Sequence, residues 1–184
     1  GRLKAIWILC TNPITSLPNA RLAEQALKKA KFVVVQEISN KPETLAFADV
    51  ILPAAAWAEK EGTMTNSERR ISYLNKIVEP PGEALPDWQI IARVAAEMGF
   101  ADAFDYASAG DIFEEIKRAA NPATGYDLRG ASHARLRETP LQWPCPPAGG
   151  DRNPMRYLND GVSQALQQNG AGETPRIAFP TRSG

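Results

Sequence analysis

The sequence has few of the residues from which most reactive sites are built. Its 184 residues include two cysteines, Cys10 and Cys145, and one histidine, His133. The cysteines stand far apart and a lone histidine cannot complete a ligand set, so no metal site is expected from them. No catalytic dyad or triad follows either, and Cys10 reads as a small buried residue rather than a nucleophile. Charge of one sign is also missing: Lys plus Arg number 21 and Asp plus Glu number 21. No field exists to draw in nucleic acid or an acidic membrane, so neither is expected as a partner. The chain has no uninterrupted run of about 18 apolar residues and no charged segment leading into a short apolar one. The expectation is a soluble protein of a reducing, cytoplasmic compartment. Internal repeats are absent, and so is the G-x-G-x-x-G pattern of a pyrophosphate-cradling turn.

What is present alternates between two periods. Residues 3–10 run apolar (Ala5-Ile-Trp-Ile-Leu), as a strand covered on both faces does. The turn-forming Thr11-Asn-Pro-Ile-Thr-Ser-Leu-Pro18 interrupts it. Over 19–29 a helix is predicted, with Leu22, Ala23, Ala26, Leu27 and Ala30 on one face and Arg21, Glu24 and Lys28 on the other. Phe32-Val-Val-Val35 is a second buried strand, a short helical stretch fits 42–47, and Asp49-Val-Ile-Leu-Pro53 is a third strand closed by its proline. Strand, helix, strand, helix, strand predicts a parallel sheet with right-handed crossovers, whose ligand-facing loops follow the carboxyl ends of the strands. Those loops are residues 11–18, 36–41 and 53–70.

Farther along, 69–78 reads as irregular or extended. Asp87 takes the N-cap position of a helix whose Ile91, Val94, Ala95 and Met98 share a face and which Gly99 stops. Ser108-Ala-Gly-Asp111 reads as a capping box before Ile112, Phe113 and Ile116, in a helix ended by Asn121-Pro122. A short helix fits 133–137, and the prolines of 141–147 require extended chain. The division expected is an α/β domain over residues 1–148 and an irregular linker or arm over 149–184, with Met155, Tyr157, Leu158 and Phe179 as its anchors.

Four places carry side chains that suit a ligand, each with a plainer role beside the sharper one. The turn Cys10-Thr-Asn-Pro13 leads from a strand end to a helix start, where backbone N–H groups suit phosphate; equally, Thr11 and Asn12 serve the turn itself. Gln36 and Glu37 follow the second strand, where an acid suits a ribose diol or simply meets water. In Glu59-Lys60-Glu61, Lys60 is either a point-charge donor to a phosphate or carbonyl oxygen or a member of a solvated charge cluster. Arg69 and Arg70 suit an anion, Glu68 or a neighbouring domain. Asp87 caps a helix and has lone pairs left for a base.

The order of short blocks along the chain resembles the molybdopterin-dinucleotide oxidoreductases, and among them the bacterial assimilatory nitrate reductases. The blocks are Cys10-Thr-Asn-Pro13 with Ser16-Leu-Pro18, Val35-Gln-Glu37, Glu43-Thr44 before Ala48-Asp-Val-Ile-Leu-Pro-Ala54, Trp57-Ala-Glu-Lys-Glu-Gly-Thr63, Asn66-Ser-Glu-Arg-Arg70, Pro81-Gly-Glu83 with Asp87-Trp88, and Leu141-Gln-Trp-Pro-Cys-Pro146. The resemblance implies an internal fragment, the third domain of such an enzyme: a Rossmann-like parallel sheet with helices on both faces and an irregular C-terminal extension. It also implies that this domain helps grip one arm of a molybdenum-bis(molybdopterin guanine dinucleotide) cofactor, with contacts at Asn12, Gln36, Glu37, Lys60 and Asp87. The pair Gln36-Glu37 departs from the Ser-Asp of periplasmic relatives.

For the parent protein, the likeness implies reduction of nitrate to nitrite in nitrate assimilation, a 4Fe–4S cluster outside this chain, and an electron-donor protein or subunit. The fragment's partners would be the remaining domains of the same polypeptide, and 179–184 resembles the lead into a carboxyl-terminal barrel. By itself the fragment should be inert. The alternatives are the same domain from a formate dehydrogenase or another molybdopterin oxidoreductase, and a non-catalytic nucleotide-binding module.

Overall fold

The computed structural model describes residues 3–121, 125–152, 168 and 171–173. The chain divides into two compact units, one of residues 1–60 and 76–105, the other of residues 61–75 and 106–184.

The first unit is built on three parallel strands in the order β1 (Ala5–Leu9), β2 (Phe32–Glu37), β3 (Val50–Pro53). In register Ala5 faces Phe32, Leu9 faces Gln36, Val34 faces Val50 and Glu37 faces Pro53. The chain returns from β1 to β2 through α1 (Pro13–Ser16) and α2 (Ala20–Lys29), and from β2 to β3 through a 3-10 turn at Glu43–Phe47. Asn19 starts α2 by accepting the Leu22 N–H at 3.0 Å, and Lys28 and Lys29 sit in its last turn, where positive charge suits the helix dipole. Leu27 packs with Ile8, Val33 and Val35 in the unit's core, where each large side chain contributes roughly 1.5–3 kcal/mol by leaving water. Leu22, expected on the same face, is exposed.

Asp49 ties the start of β3 to β2 by accepting the Val33 N–H at 2.7 Å. Beyond Pro53 the ladder gains one more parallel bridge, from Ala54 to Leu85, which delivers the chain to α3 (Asp87–Glu97). The N-cap of α3 is Pro86, so Asp87 is its first helical residue and not its cap. Ile90 and Ala95 supply the buried face of α3, whereas Met98, read as part of the stripe, is exposed. Gly99 ends the helix at φ 88°, the left-handed conformation that glycine adopts without a Cβ penalty.

The second unit carries a sheet that strand periodicity had not shown. β4 (Gly62–Thr65), β5 (Arg70–Leu74) and β6 (Leu141–Gln142) are antiparallel, so the molecule is a mixed α/β protein and not one built on a parallel sheet alone. The stretch 69–78, read as irregular or extended, supplies β5. Its core joins Ile71 and Leu141 to Phe113 of α4 (Ala109–Ile116), Leu136 of α5 (His133–Glu138), Leu128, Ala131 and Cys145. α4 starts on the expected capping box: Ser108 Oγ accepts the Asp111 N–H at 3.3 Å while Asp111 Oδ2 accepts the Ser108 N–H at 2.9 Å. At Gly130 a side chain has no room, because a Cβ there would lie 2.3 Å from the Pro146 carbonyl oxygen. Most of 149–184, with its four expected anchors, lies outside the described residues, as does Pro122.

Among the described residues, no helix is long and apolar enough to cross a membrane, and no group of three or more His, Cys, Asp or Glu could hold a metal ion.

Candidate functional site

Because β1, β2 and β3 run parallel, their carboxyl ends share one edge of the sheet; Gln36 and Glu37, expected just beyond β2, are its last two residues at that edge, and the loop bearing Asn12 and the segment after Pro53 leave from it. Three of the expected site residues are brought into direct contact. Gln36 Nε2 donates to Asp87 Oδ1 at 2.7 Å, and Lys60 Nζ donates to Asp87 Oδ2 at 2.5 Å. Each comes from a different element: the end of β2, the residue after a 3-10 turn at Trp57–Glu59, and the first turn of α3.

The local sequence explains why these side chains meet. Pro53 closes β3, and the Glu59 carboxylate then accepts the Ala56 N–H at 2.8 Å, so Glu59 caps its own turn. Lys60, next in the chain, crosses to Asp87. Glu61 belongs to the second unit, where it accepts from the Tyr73 hydroxyl at 2.6 Å. The three charges of Glu59-Lys60-Glu61 are thus each used on a separate partner.

Asp87 keeps about a quarter of its side chain accessible, as does Lys60 (27% and 28%). Burial pushes the Asp87 carboxyl up, but the hydrogen bonds from Lys60 and Gln36 and the Lys60 charge outweigh it and hold the group below its ordinary value of 3.8. Asp87 is therefore an anion fixed between two donors, with lone pairs still open. Gln36 is 2% exposed, and among the described residues its Oε1 is a buried oxygen without a hydrogen-bond partner. A buried carbonyl left unsatisfied costs about 1–3 kcal/mol, so a ligand N–H or O–H reaching it would recover that cost. This orphaned acceptor beside an anchored carboxylate and an ammonium fits the edge of a nucleotide: acceptors for a base or ribose donor, a cation for phosphate or carbonyl oxygen.

The other two expected residues are used differently. The Glu37 carboxylate accepts its neighbour's N–H, from Ile38 at 2.9 Å. The Asn12 amide bonds to Glu43, Thr15 and Thr44. The sequence had pointed to Glu43 and Thr44 only as part of a family block, because a bond across some thirty residues leaves no periodic signal. Cys10, expected to be buried, is exposed, in a left-handed conformation at φ 58° where β1 breaks. Arg69 and Arg70 serve their own unit: Arg69 donates to the Trp143 carbonyl and lies over its ring, and Arg70 pairs with Glu68. The block Asn66-Ser-Glu-Arg-Arg70 makes the turn from β4 and the first residue of β5, with Asn66 Oδ1 accepting from the Glu68 and Arg70 N–H groups.

Residues 1–97 match the family model described as molybdopterin oxidoreductase. The chain belongs to that family. Its relatives include a formate dehydrogenase subunit alpha from Methanocaldococcus jannaschii, 46% identical over 78% of this chain and 20% of the relative. The assimilatory nitrate reductase catalytic subunit of Bacillus subtilis is 43% identical over 79% of this chain and 20% of that protein. Among solved structures, acetylene hydratase from Pelobacter acetylenicus is similar at a TM-score of 0.53 and 25% identity, over 60% of this chain and 15% of that one. The chain thus spans about a fifth of the length of these curated relatives. Molybdopterin oxidoreductases named for nitrate and for formate match it comparably, so membership of the family is established at a coarser level than the nitrate reductase likeness in the sequence.

Proposed function

We propose that this chain is a cofactor-holding segment of a molybdopterin-dependent oxidoreductase and that it binds one guanine dinucleotide arm of the cofactor at the carboxyl edge of its parallel sheet. The observation that carries this reading is the buried, unpaired Gln36 Oε1 beside the Lys60–Asp87 ion pair. Asp87 and Gln36 Oε1 accept from the nucleotide's N–H or O–H groups. Lys60 keeps Asp87 ionised and has N–H groups left for a phosphate or carbonyl oxygen. Of the other residues that the family likeness implies, Glu37 stands beside Gln36 at the end of β2, and Asn12 belongs to the loop that leaves the β1 exit. When bound, the cofactor supplies two-electron redox chemistry at its molybdenum, while the chain's own part is to bind and orient. The iron–sulfur cluster, the electron donor and the remaining domains belong to the parent enzyme in this reading.

Two substrates have support from named relatives of the parent. Nitrate reduction is supported by the assimilatory nitrate reductase of Bacillus subtilis, and formate oxidation is supported as well by the 46% identity to the Methanocaldococcus jannaschii subunit. The family-level reading therefore stands ahead of either substrate.

The test is to express the full-length gene carrying this chain and measure guanine nucleotide and molybdenum retained per polypeptide. Lys60→Ala and Asp87→Ala should each lower both about tenfold, the loss of roughly one charged hydrogen bond. Unchanged retention would sink the proposal. Assays of the intact enzyme with nitrate and with formate select the substrate. Tight binding of GDP by the 184-residue chain alone would favour the free-standing nucleotide module.

A further inference from the structure

The loop after β1 carries a second polar network, whose centre is the Asn12 amide. Asn12 Nδ2 donates to Glu43 Oε2 at 2.9 Å and to Thr15 Oγ1 at 3.1 Å. A primary amide nitrogen has two hydrogens, so both are used. Asn12 Oδ1 accepts from Thr44 Oγ1 at 2.6 Å, and Thr44 is 1% exposed. The Asn12 carbonyl accepts the Thr15 and Ser16 N–H groups at 3.1 and 2.9 Å and the Ser16 hydroxyl at 2.9 Å. Asn12 therefore cannot donate through its side chain to a phosphate or carbonyl oxygen unless it first gives up Glu43 or Thr15.

The two ends of the amide are set by partners of opposite character. The Glu43 carboxylate, which only accepts, requires the nitrogen end, and the Thr44 hydroxyl, able to donate or accept, then donates to the oxygen end. Glu43 thus sets the orientation of the amide, but of the two partners only Thr44 is buried and hence shielded from exchange with water.

We infer that Thr44 is the positioning residue of this loop, acting through Asn12. Its hydroxyl anchors the amide oxygen at a buried point, and the amide ties residues 12–16 to the turn at Glu43–Phe47. Asn12 serves the site by holding the loop in place and not by donating to the ligand. What the loop serves rests on the cofactor-holding reading above; the coupling of Thr44 to Asn12 does not.

The experiment is amide hydrogen exchange on the ligand-free 184-residue chain. Thr44→Val keeps the shape and removes the donor, so exchange at Thr15, Ser16 and Leu17 should speed up on the order of tenfold, while Val33 and Val35 in the core stay slow. Thr44→Ser, which restores the hydroxyl, should restore slow exchange in the loop. The double variant Asn12→Ala with Thr44→Val should exchange no faster than Asn12→Ala alone, as expected of two residues in one network. Unchanged loop exchange in Thr44→Val, or additive effects, would overturn the inference. In the full-length protein the two single variants should lower retained guanine nucleotide by the same factor; a loss in Asn12→Ala alone would make Asn12 a direct contact. Failure of the cofactor reading would appear as Lys60 and Asp87 variants that retain wild-type nucleotide, and it would leave the ligand-free coupling unaffected.

Discussion

Asp87 is the residue on which the first unit's polar contacts converge, and its replacements should separate two effects. Asp87→Ala leaves the buried Gln36 Nε2 without an acceptor and should cost about 1–3 kcal/mol, whereas Asp87→Asn retains an acceptor and should cost less, about 1 kcal/mol, measured by urea unfolding. Equal losses would mean that charge alone matters. The pH dependence follows from the lowered carboxyl pKa. The stabilisation is fully present above the ordinary Asp value of 3.8 and is lost as pH falls through the lower folded value, and Asp87→Asn should flatten that part of the profile. The sequence marked Gln36, Lys60 and Asp87 as separate possibilities, because residues at strand exits and helix starts are recognisable by position. Their contact was not legible, since bonds across 27 and 51 residues depend on how the crossovers pack. The assignment of Asp87 as a helix cap failed for a related reason: Pro86 occupies the cap, and the carboxylate is drawn instead to an ammonium and an amide.

At the scale of elements, the capping box of α4 was legible because it is a pair of local bonds between neighbours in sequence. Ser108 was located this way; Asn19 was read only as the first residue of a helix with an apolar face, yet it caps α2, and Asn19→Ala should cost about 1 kcal/mol by removing the acceptor of the Leu22 N–H. Thermal or urea unfolding checks this value, and a neutral variant would show that the cap adds nothing beyond water. The β4–β5 hairpin escaped detection because its strands are short and its turn lacks glycine; Asn66 supplies the turn's bonds through its side chain, and Arg69 accepts the left-handed position at φ 70°. In α5, His133 stands edge-on to Tyr73 at 5.1 Å and against Phe113 at 5.4 Å. Burial lowers its pKa, an effect opposed by Glu61 and Glu114 and aided by Arg137. The folded state therefore prefers neutral imidazole, so stability should fall as pH drops below the ordinary value of 6.5 and level off below the folded value. Comparing melting temperatures of wild type and His133→Phe from pH 7.5 to 5 tests the sign; parallel curves would refute it.

For the molecule as a whole, each compact unit has its own core, Val33 and Val35 in one and Ile71 and Leu141 in the other. Leu141→Ala should cost about 2–5 kcal/mol and raise hydrogen exchange at Ile71 and its neighbours far more than at Val33 or Val35. Equal loss of protection in both cores would show a single cooperative unit. The two units also interleave along the chain: residues 61–75 interrupt the first, and the strand that flanks their hairpin, β6, arrives only at Leu141. A nascent chain must therefore hold the hairpin unfinished until some seventy further residues have been synthesised, with Ile71, which is 1% exposed once folded, lacking the lid that buries it. Truncation after residue 105 would fix that transient state permanently, giving a sheet whose outer strand invites pairing with a second molecule.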